Sequence, residues 1–341
     1  MIVDVVRQFN SRLRFQIDPE KAVRTRIPRK ARTAPEAEPI HLDATTTLGS
    51  AVASIVHECV LHIARSADYA RKSDDPEGIH QLRVGIRRLR AALSIFRRLD
   101  PGRRRPAVAS KLRALQQELG AAREWDVLIE ETIGPLRHRL RDRQGLRKLI
   151  NGAEAKRAEA YQRARAALRD TRYTKLVLEL EGRIDGYFGL SMSRSQKARS
   201  GKITLTSPAA SFALDVLRSR HAKVRRLGKK LRRLDSQELH KLRIRIKKLR
   251  YAVEFFGDLW PGRRARRYLS ALKTLQQVLG TAHDTSVAIG LIAELGRTAG
   301  HDVEPAVAVV RDWAATSLER NHLAKLWRRF AKRRVFWKDE S

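Results

Sequence analysis

Cysteine is almost absent from this chain of 341 residues, which contains only Cys59. One thiol excludes a disulfide framework and a metal site built from several thiolates, and it is typical of a reducing compartment. Long apolar runs are also missing, since none approaches the length of about 18 residues that a membrane-spanning helix requires. The N-terminal sequence lacks the apolar core and the cleavage site of a secretory signal. We therefore expect a cytoplasmic protein without a membrane span.

Acidic and aromatic residues are scarce as well. The chain has 37 Asp and Glu against 72 Lys and Arg, a formal net charge of +35, and only 6% aromatic residues. Such a surplus of positive charge repels itself in a folded protein unless an anion compensates it. The composition therefore predicts a polyanionic partner: nucleic acid, an acidic membrane surface or a phosphate polymer. The hydrophobic fraction of 42% is large enough for a packed core.

Strand patterns are rare, and from Thr47 onward the apolar residues recur with the period of an α-helix. The sequence therefore predicts an all-α fold. Asp75 followed by Pro76 is typical of a helix N-terminus, and Gly120 is expected to interrupt a helix. The predicted helices cover residues 48–72, 76–99, 105–119, 123–143 and 146–184, and helices resume after Pro208.

Composition divides the chain into a lead-in and a helical domain. Residues 1–45 have no amphipathic period and are interpreted as an extended or disordered lead-in or linker. Residues 46–335 form the predicted domain. A segment rich in Ser, Gly and basic residues, 185–207, is the expected linker between a first half-bundle, 46–184, and a second, 208–335.

One eleven-residue phrase occurs twice, as HQLRVGIRRLR at residues 80–90 and as HKLRIRIKKLR at residues 240–250. When residues 80–129 are aligned with residues 240–289 without a gap, 23 of the 50 positions are identical. The matches include a PGRR turn and an LQQ segment that is followed by LG. We interpret the repeat as an internal duplication and expect two four-helix-type bundles related by a pseudo-two-fold axis.

Each copy of the phrase carries an apolar stripe and, beside it, a row of cations at i, i+3, i+7 and i+10, about 15 Å long. Acidic partners at i+4 are absent, so the charges of a row repel one another. Arginine binds phosphate oxygens bidentately, and the first turn of a helix favours an anion. We therefore interpret each row as an anion-binding face; the ordinary alternative is a solvated helix face, with the histidine bonded to a loop. The apolar stripes are Leu82, Ile86, Leu89, Leu93 and Phe96, and Leu242, Ile246, Leu249, Val253 and Phe256; the first cationic row is His80, Arg83, Arg87 and Arg90, and the second is His240, Arg243, Lys247 and Arg250.

Other basic residues accompany the two rows. Arg88 and Lys248 lie on a third sector of their helices and are expected to be exposed. The runs KVRRLGKKLRR (223–233) and WRRFAKRR (327–334) fit a rim of the same basic surface and plain solvated faces equally well. Cations after the two PG turns and a matched pair on the following helices extend the candidate site: Arg103, Arg104, Arg113, Arg263, Arg264 and Lys273.

Motifs for catalysis, metal binding or cofactor binding are missing. His57 and His62 are five residues apart, which does not match the spacing of a zinc protease, and no Gly-rich phosphate loop occurs. Glu124, Asp126 and Asp284 follow the LG pairs and are interpreted as carboxylates at helix starts. We predict a protein that is not an enzyme and that has no cofactor, no catalytic residue and no metal site.

The phrase HQLRVGIRRLR with LQQELGAAREWDV, and HKLRIRIKKLR with LQQVLGTAHDTSVA, resemble the two halves of a CHAD domain, the conserved histidine α-helical domain. The resemblance covers about residues 45–335. It implies two four-helix bundles with a basic central cavity that binds inorganic polyphosphate through the two cationic rows, and association with polyphosphate granules. Gly85, where the second copy has Arg245, departs from the repeat and should weaken its helix by about 1 kcal/mol relative to alanine.

Two other functions stay open at this point. One is a basic nucleic-acid-binding protein; the rows lack the interleaved aromatic residues that stack on bases, so nucleic acid is expected to be the weaker competitor. The other is a regulatory module that acts with a separate enzyme of polyphosphate or triphosphate metabolism. The family is often fused to a triphosphate-tunnel domain with an E-x-E-x-K signature, but Glu36 and Glu38 are followed by Pro39 and Ile40, so the lysine is missing.

Overall fold

The computed structural model describes residues 33–99, 105–136, 143–177, 179–180, 204–299, 307–310, 312 and 320–337. Over these residues the chain is helical, and apart from one isolated bridge between Thr47 and Pro208 it contains no β-structure. The predicted all-α fold is therefore confirmed. The α-helices are α1 (Leu48–Lys72), α2 (Pro76–Ile95), α3 (Arg105–Glu118), α4 (Gly120–Val127), α5 (Arg143–Arg169), α6 (Ala209–Gly228), α7 (Ser236–Phe256), α8 (Arg263–Ala299) and α9 (Arg320–Ala331).

The N-termini of three helices follow local capping chemistry. The Thr47 hydroxyl accepts a hydrogen bond from the Ser50 amide at the start of α1. The Asp75 carboxylate accepts from the Glu77 amide at the start of α2, where Pro76 is the first residue, as predicted. At the start of α7, Asp235 and Glu238 form a reciprocal capping box. These side chains satisfy backbone amides that have no partner within their helix.

Some predicted helices are shorter than expected. After α2 the chain tightens into a 3₁₀ turn, Phe96–Arg98. The predicted helix over residues 146–184 is interrupted at Asp170, whose carboxylate accepts from the Arg172 amide at 2.7 Å and so begins a new helical segment at residue 171. Within the predicted helix over residues 123–143, α4 continues into the π-helical turn Leu128–Ile133, and residues 137–142 lie outside the described residues.

The described residues form two compact units that are not contiguous in the sequence. The predicted half-bundles, by contrast, were contiguous. The second unit includes α4 and most of α5 because α4 packs on α8, and because the buried Asp126 of α4 binds Arg157 of α5. Counting described residues alone, the first unit takes in those within 33–40, 45–119 and 163–209; the second takes in those within 41–44, 120–162 and 210–337.

In the first unit, α1 and α2 pack closely at a glycine. A Cβ atom built on Gly85 would lie 3.0 Å from Ile63 Cγ1 and 3.3 Å from the Ile63 amide nitrogen and from His62 Nδ1. The helix-propensity cost of Gly85 is therefore accompanied by a packing role, because a methyl group at this position would press on the neighbouring helix.

A segment of the predicted lead-in, residues 33–40, is described in the first unit, and we call it the N-terminal strap. His62 Nε2 donates to the Pro35 carbonyl at 3.2 Å, and Arg65 contacts the Glu38 carboxylate at 2.6 Å. Ile40 is 5% exposed. The strap is therefore a docked part of the unit, whereas residues 1–32 lie outside the described residues.

The core of the second unit is rich in aromatic side chains. The centroid of the Tyr268 ring lies 5.2–5.6 Å from the ring centroids of Phe330, Phe336 and Trp337. His221 Nδ1 and the Tyr268 hydroxyl are 2.6 Å apart. These contacts attach α9 and the residues after it to α6 and α8.

Candidate anion-binding site

The first cationic row lies along α2, beside its apolar stripe. Leu82, Ile86 and Leu89 are fully buried, as predicted. The four members of the row, from His80 to Arg90, are all partly exposed. The row therefore combines a rigid helical support with side chains that an anion can reach.

Gln116 of α3 holds two arginines of the first row. Arg83 Nη1 donates to the backbone carbonyl of Gln116 at 3.2 Å, and Arg90 Nη1 donates to its side-chain Oε1 at 2.6 Å. Burial lowers the pKa of Arg90, and repulsion from the nearby Arg113 lowers it further. Arg113 is exposed on α3, so the structure brings this predicted site residue into the electrostatic range of the row.

The second cationic row lies along α7 and makes the matching contact. Arg250 Nε donates to Gln276 Oε1 of α8 at 2.7 Å. Arg250 and Gln276 occupy the positions that align with Arg90 and Gln116. The same arginine–glutamine contact therefore recurs at the same place in both rows.

The two rows differ in their acidic neighbours. Arg250 forms an i,i+4 ion pair with Glu254, and Arg243 Nη2 lies 3.9 Å from Asp284 Oδ1. The expectation that acidic partners are absent is therefore wrong for the second row. Ser94 aligns with Glu254, so this charge has no counterpart beside the first row. The second row is partly neutralised by the protein itself.

The three carboxylates interpreted as helix starts have other roles. Asp284 lies in the middle of α8, because Gly280 does not interrupt that helix. Asp126 is fully buried and accepts hydrogen bonds from Arg157 Nε at 2.8 Å and from the Tyr161 hydroxyl at 2.9 Å. Glu124 is exposed and lies beyond the first turn of α4. The interpretation was wrong because these helices begin before the carboxylates or run past the glycine.

Arg88 corrects another expectation. It is only 6% exposed, and its Nη2 donates to the backbone carbonyl of Glu38 in the N-terminal strap. The helical phase predicts that the Arg88 guanidinium faces solvent, but the N-terminal strap covers it. Lys248, its counterpart in the second copy, is exposed as expected.

The remaining predicted site residues are exposed or lie outside the described residues. Arg263 and Arg264 open α8, and Lys273 lies further along it; all three are exposed. Arg103 and Arg104 lie outside the described residues. Sequence reasoning missed Gln116 and Gln276 as members of the site, although the repeated LQQ segment was the signal that could have indicated them.

Guanidinium, ammonium and imidazole groups can donate hydrogen bonds to phosphate oxygens without changing protonation. In the described part of the chain, no group of three or more His, Cys, Asp or Glu side chains could hold a metal ion. Among the described helices, none has the length and apolar character needed to span a bilayer. The cations of the two rows have the chemistry to donate charge-assisted hydrogen bonds to an anion.

These features define an all-α domain with two basic helix faces. Residues 54–293 match the CHAD domain family, and the chain belongs to that family. A crystal structure of the CHAD domain from the plant Ricinus communis is similar, with 30% sequence identity and a TM-score of 0.75, over 87% of this chain and 97% of that one.

More distant similarities extend to bacterial proteins. The structure of PptA from Streptomyces chartreusis shares the fold at 17% identity and a TM-score of 0.58, over 83% of this chain and all of that one. Two uncharacterized proteins from strains of Mycobacterium tuberculosis are 26% identical over 269 residues. That match covers 74% of this chain and 44% of each relative, so the chain spans less than half of their length.

Proposed function

We propose that this protein binds inorganic polyphosphate without catalysing a reaction, and that the two cationic rows are its binding residues. One observation carries the proposal: in a member of the CHAD family, both rows present partly exposed arginines that equivalent glutamines hold in place. The net charge of +35 supports a ligand with many negative charges.

Glutamine contacts favour binding because they fix the arginines before the ligand arrives. A long side chain that is already ordered loses less conformational entropy on binding. The remaining N–H groups of each guanidinium can then bind phosphate oxygens bidentately. Each phosphate that is neutralised should change the slope of log affinity against log salt by about −0.7, by analogy with single-stranded nucleic acids.

The proposed cellular setting follows from the ligand. A polyphosphate binder in the cytoplasm would be recruited to polyphosphate granules, and it could act alone or as the regulatory module of a polyphosphate-metabolising enzyme. Co-sedimentation of the purified protein with isolated granules, with and without excess free polyphosphate, tests the recruitment.

Calorimetric titration with long-chain polyphosphate, at an ionic strength of about 0.15 M, tests the binding itself. Replacing both Arg83 and Arg243 with alanine should weaken binding about a hundredfold, since each charge-assisted hydrogen bond contributes about 1.5–3 kcal/mol. The control replaces two exposed cations outside the rows, Arg147→Ala with Lys175→Ala. Thermal unfolding of each variant shows that it is folded.

If polyphosphate binds non-specifically to the basic surface as a whole, the row variant and the control variant should lose affinity equally. That result would overturn the assignment of the rows. Competition by duplex DNA separates the rival function. If DNA displaces polyphosphate at equal phosphate concentration, the protein is a nucleic-acid binder instead.

A further inference from the structure

Two basic segments that are far apart in the sequence lie side by side in the second unit. The Trp327 indole of α9 lies directly against Gly228 at the end of α6, and Arg225 Nη1 donates to the carbonyl of Ala331. The later residue of α9 meets the earlier residue of α6, so the two helices run antiparallel. We call the surface formed by residues 223–233 and 325–334 the α6–α9 patch.

The patch is strongly and uniformly positive. On α6 and the turn after it, six cations are exposed: Lys223, Arg226, Lys229, Lys230, Arg232 and Arg233. On α9 and the residues after it, six more are exposed: Lys325, Arg328, Arg329, Lys332, Arg333 and Arg334. Neither segment contains an acidic residue. Folding brings these two cation-bearing segments into contact, so their like charges repel one another, and a bound polyanion would relieve that repulsion.

The α6–α9 patch lies on a different side of α7 from the second cationic row. Arg245 Nη1 of α7 donates to the Lys223 carbonyl of α6 at 3.2 Å, so this side of α7 faces α6. The row faces α8, through the contact between Arg250 and Gln276. The patch is therefore a separate surface of the same unit and not an extension of the row along one helix.

The side chains of the α6–α9 patch favour a phosphate polymer as the occupant. Trp327, Phe330 and Trp337 are at most 7% exposed, so these rings are unavailable for stacking on bases or for insertion into lipid. The large apolar side chains that are exposed among the described residues are Ile244 and Val309, and both lie outside the patch. The interaction that the patch offers a ligand is therefore the attraction between its cations and phosphate groups.

We infer that the α6–α9 patch is a second binding surface for a long polyphosphate chain whose other part occupies the second cationic row. This inference rests on the proposed function. When one part of a polyphosphate chain is bound at the row, its unbound part stays close to the patch at a high effective concentration. A weak contact with the patch then increases the overall affinity of the same chain. A short chain cannot occupy both surfaces, and its affinity depends on the row alone.

The test compares long-chain polyphosphate with tripolyphosphate in calorimetric titrations. The patch variant carries Arg226→Gln, Lys229→Gln, Arg328→Gln and Lys332→Gln. The control variant removes the same charge from exposed positions elsewhere, through Arg147→Gln, Arg169→Gln, Lys175→Gln and Arg297→Gln. In the patch variant, long-chain affinity should fall at least about tenfold and the salt slope should shrink by about 0.7 per lost contact. Tripolyphosphate affinity should stay within about twofold of wild type, since that ligand engages only the row.

Each other result identifies what has failed. If long-chain affinity falls equally in the patch and control variants, while Arg243→Ala weakens both ligands, the rows bind polyphosphate and the inference about the patch is wrong. If the patch variant loses only duplex DNA binding, the patch is a nucleic-acid surface and the inference is also wrong. If wild type binds neither phosphate ligand, the proposed function fails and the inference fails with it.

Discussion

His62 is a buried histidine at the contact between α1 and the N-terminal strap. It is 3% exposed, and its Nε2–H group donates to the Pro35 carbonyl. Burial, and then repulsion from Arg88, lower the pKa of His62 from 6.5 to about 4. The side chain is therefore neutral in the folded protein at pH values where the unfolded chain already binds a proton.

This difference predicts a loss of stability in mild acid. Above pH 6.5 both states are neutral at His62, and between pH 6.5 and about 4 only the unfolded state gains the proton. The free energy of unfolding should therefore fall as the pH falls through this window, by about 3 kcal/mol in all for this group. Denaturant unfolding at pH 7 and pH 5 should show about 2 kcal/mol of this change, since pH 5 lies inside the window. His62→Gln keeps a donor for Pro35 and should show a smaller drop; an unchanged drop would contradict the role of His62.

Two glycines let a neighbouring side chain approach the backbone of their helix, and a third serves as a control. A Cβ atom on Gly228 would overlap the Trp327 ring, whereas one on Gly290 would have open space beyond its own helix backbone. Gly228→Ala should destabilise the protein by about 3 kcal/mol, in the range of overpacked cores. Gly290→Ala should stabilise it by about 1 kcal/mol through helix propensity. Gly85→Ala should give no such gain. Urea unfolding of the three variants checks the order.

At the level of helix pairs, the contact between a row arginine and the LQQ glutamine connects α2 with α3 and α7 with α8. If the glutamine positions the arginine, Gln116→Ala together with Gln276→Ala should weaken polyphosphate binding by about threefold to tenfold. This is the loss expected when one or two neutral hydrogen bonds are removed. The adjacent glutamines of the same segments, Gln117 and Gln277, are exposed and provide a matched control. Equal losses in the two double variants, measured by titration, would show that the glutamines do not position the rows.

The helices that could be predicted from the sequence are those whose ends are set by local chemistry. Asp75 with Pro76 and the long apolar period of α1 are local signals, and the structure confirms both. The pair Leu-Gly was ambiguous, because Gly120 begins a new helix whereas Gly280 lies inside α8. The Leu-Gly pair is the same at both places, so this local pattern does not record the difference. The helix break at Asp170, by contrast, has a local cause that the prediction overlooked. The Asp170 carboxylate accepts a hydrogen bond from the Arg172 amide and so competes with the hydrogen bonds of the helix.

The candidate site was predictable only where position on a helix face decides exposure. The apolar stripe and the row beside it follow from the helical period. The burial of Arg88 does not follow from the helical period, because the N-terminal strap, some fifty residues earlier in the sequence, covers this side chain. Glu254 was visible in the sequence, yet its ion pair with Arg250 depends on the side-chain rotamers that the two residues adopt.

Across the whole molecule, the dominant electrostatic feature is the net charge of +35. Self-repulsion of this size destabilises the folded state, and a ligand that binds only the folded state stabilises it by mass action. Long-chain polyphosphate should therefore raise the melting temperature, and the increase should be largest at low salt, where screening is weakest. Differential scanning calorimetry at two salt concentrations checks this. A rise that is independent of salt would argue against an electrostatic origin.

The single cysteine offers a way to follow the motions of the first unit. Cys59 is fully buried in α1, and the chain has no other thiol to react. A thiol reagent can modify the native chain only while α1 is transiently detached from its neighbours. The labelling rate therefore reports the opening of that unit in the unmodified protein, and its dependence on added ligand measures how strongly binding holds the unit closed.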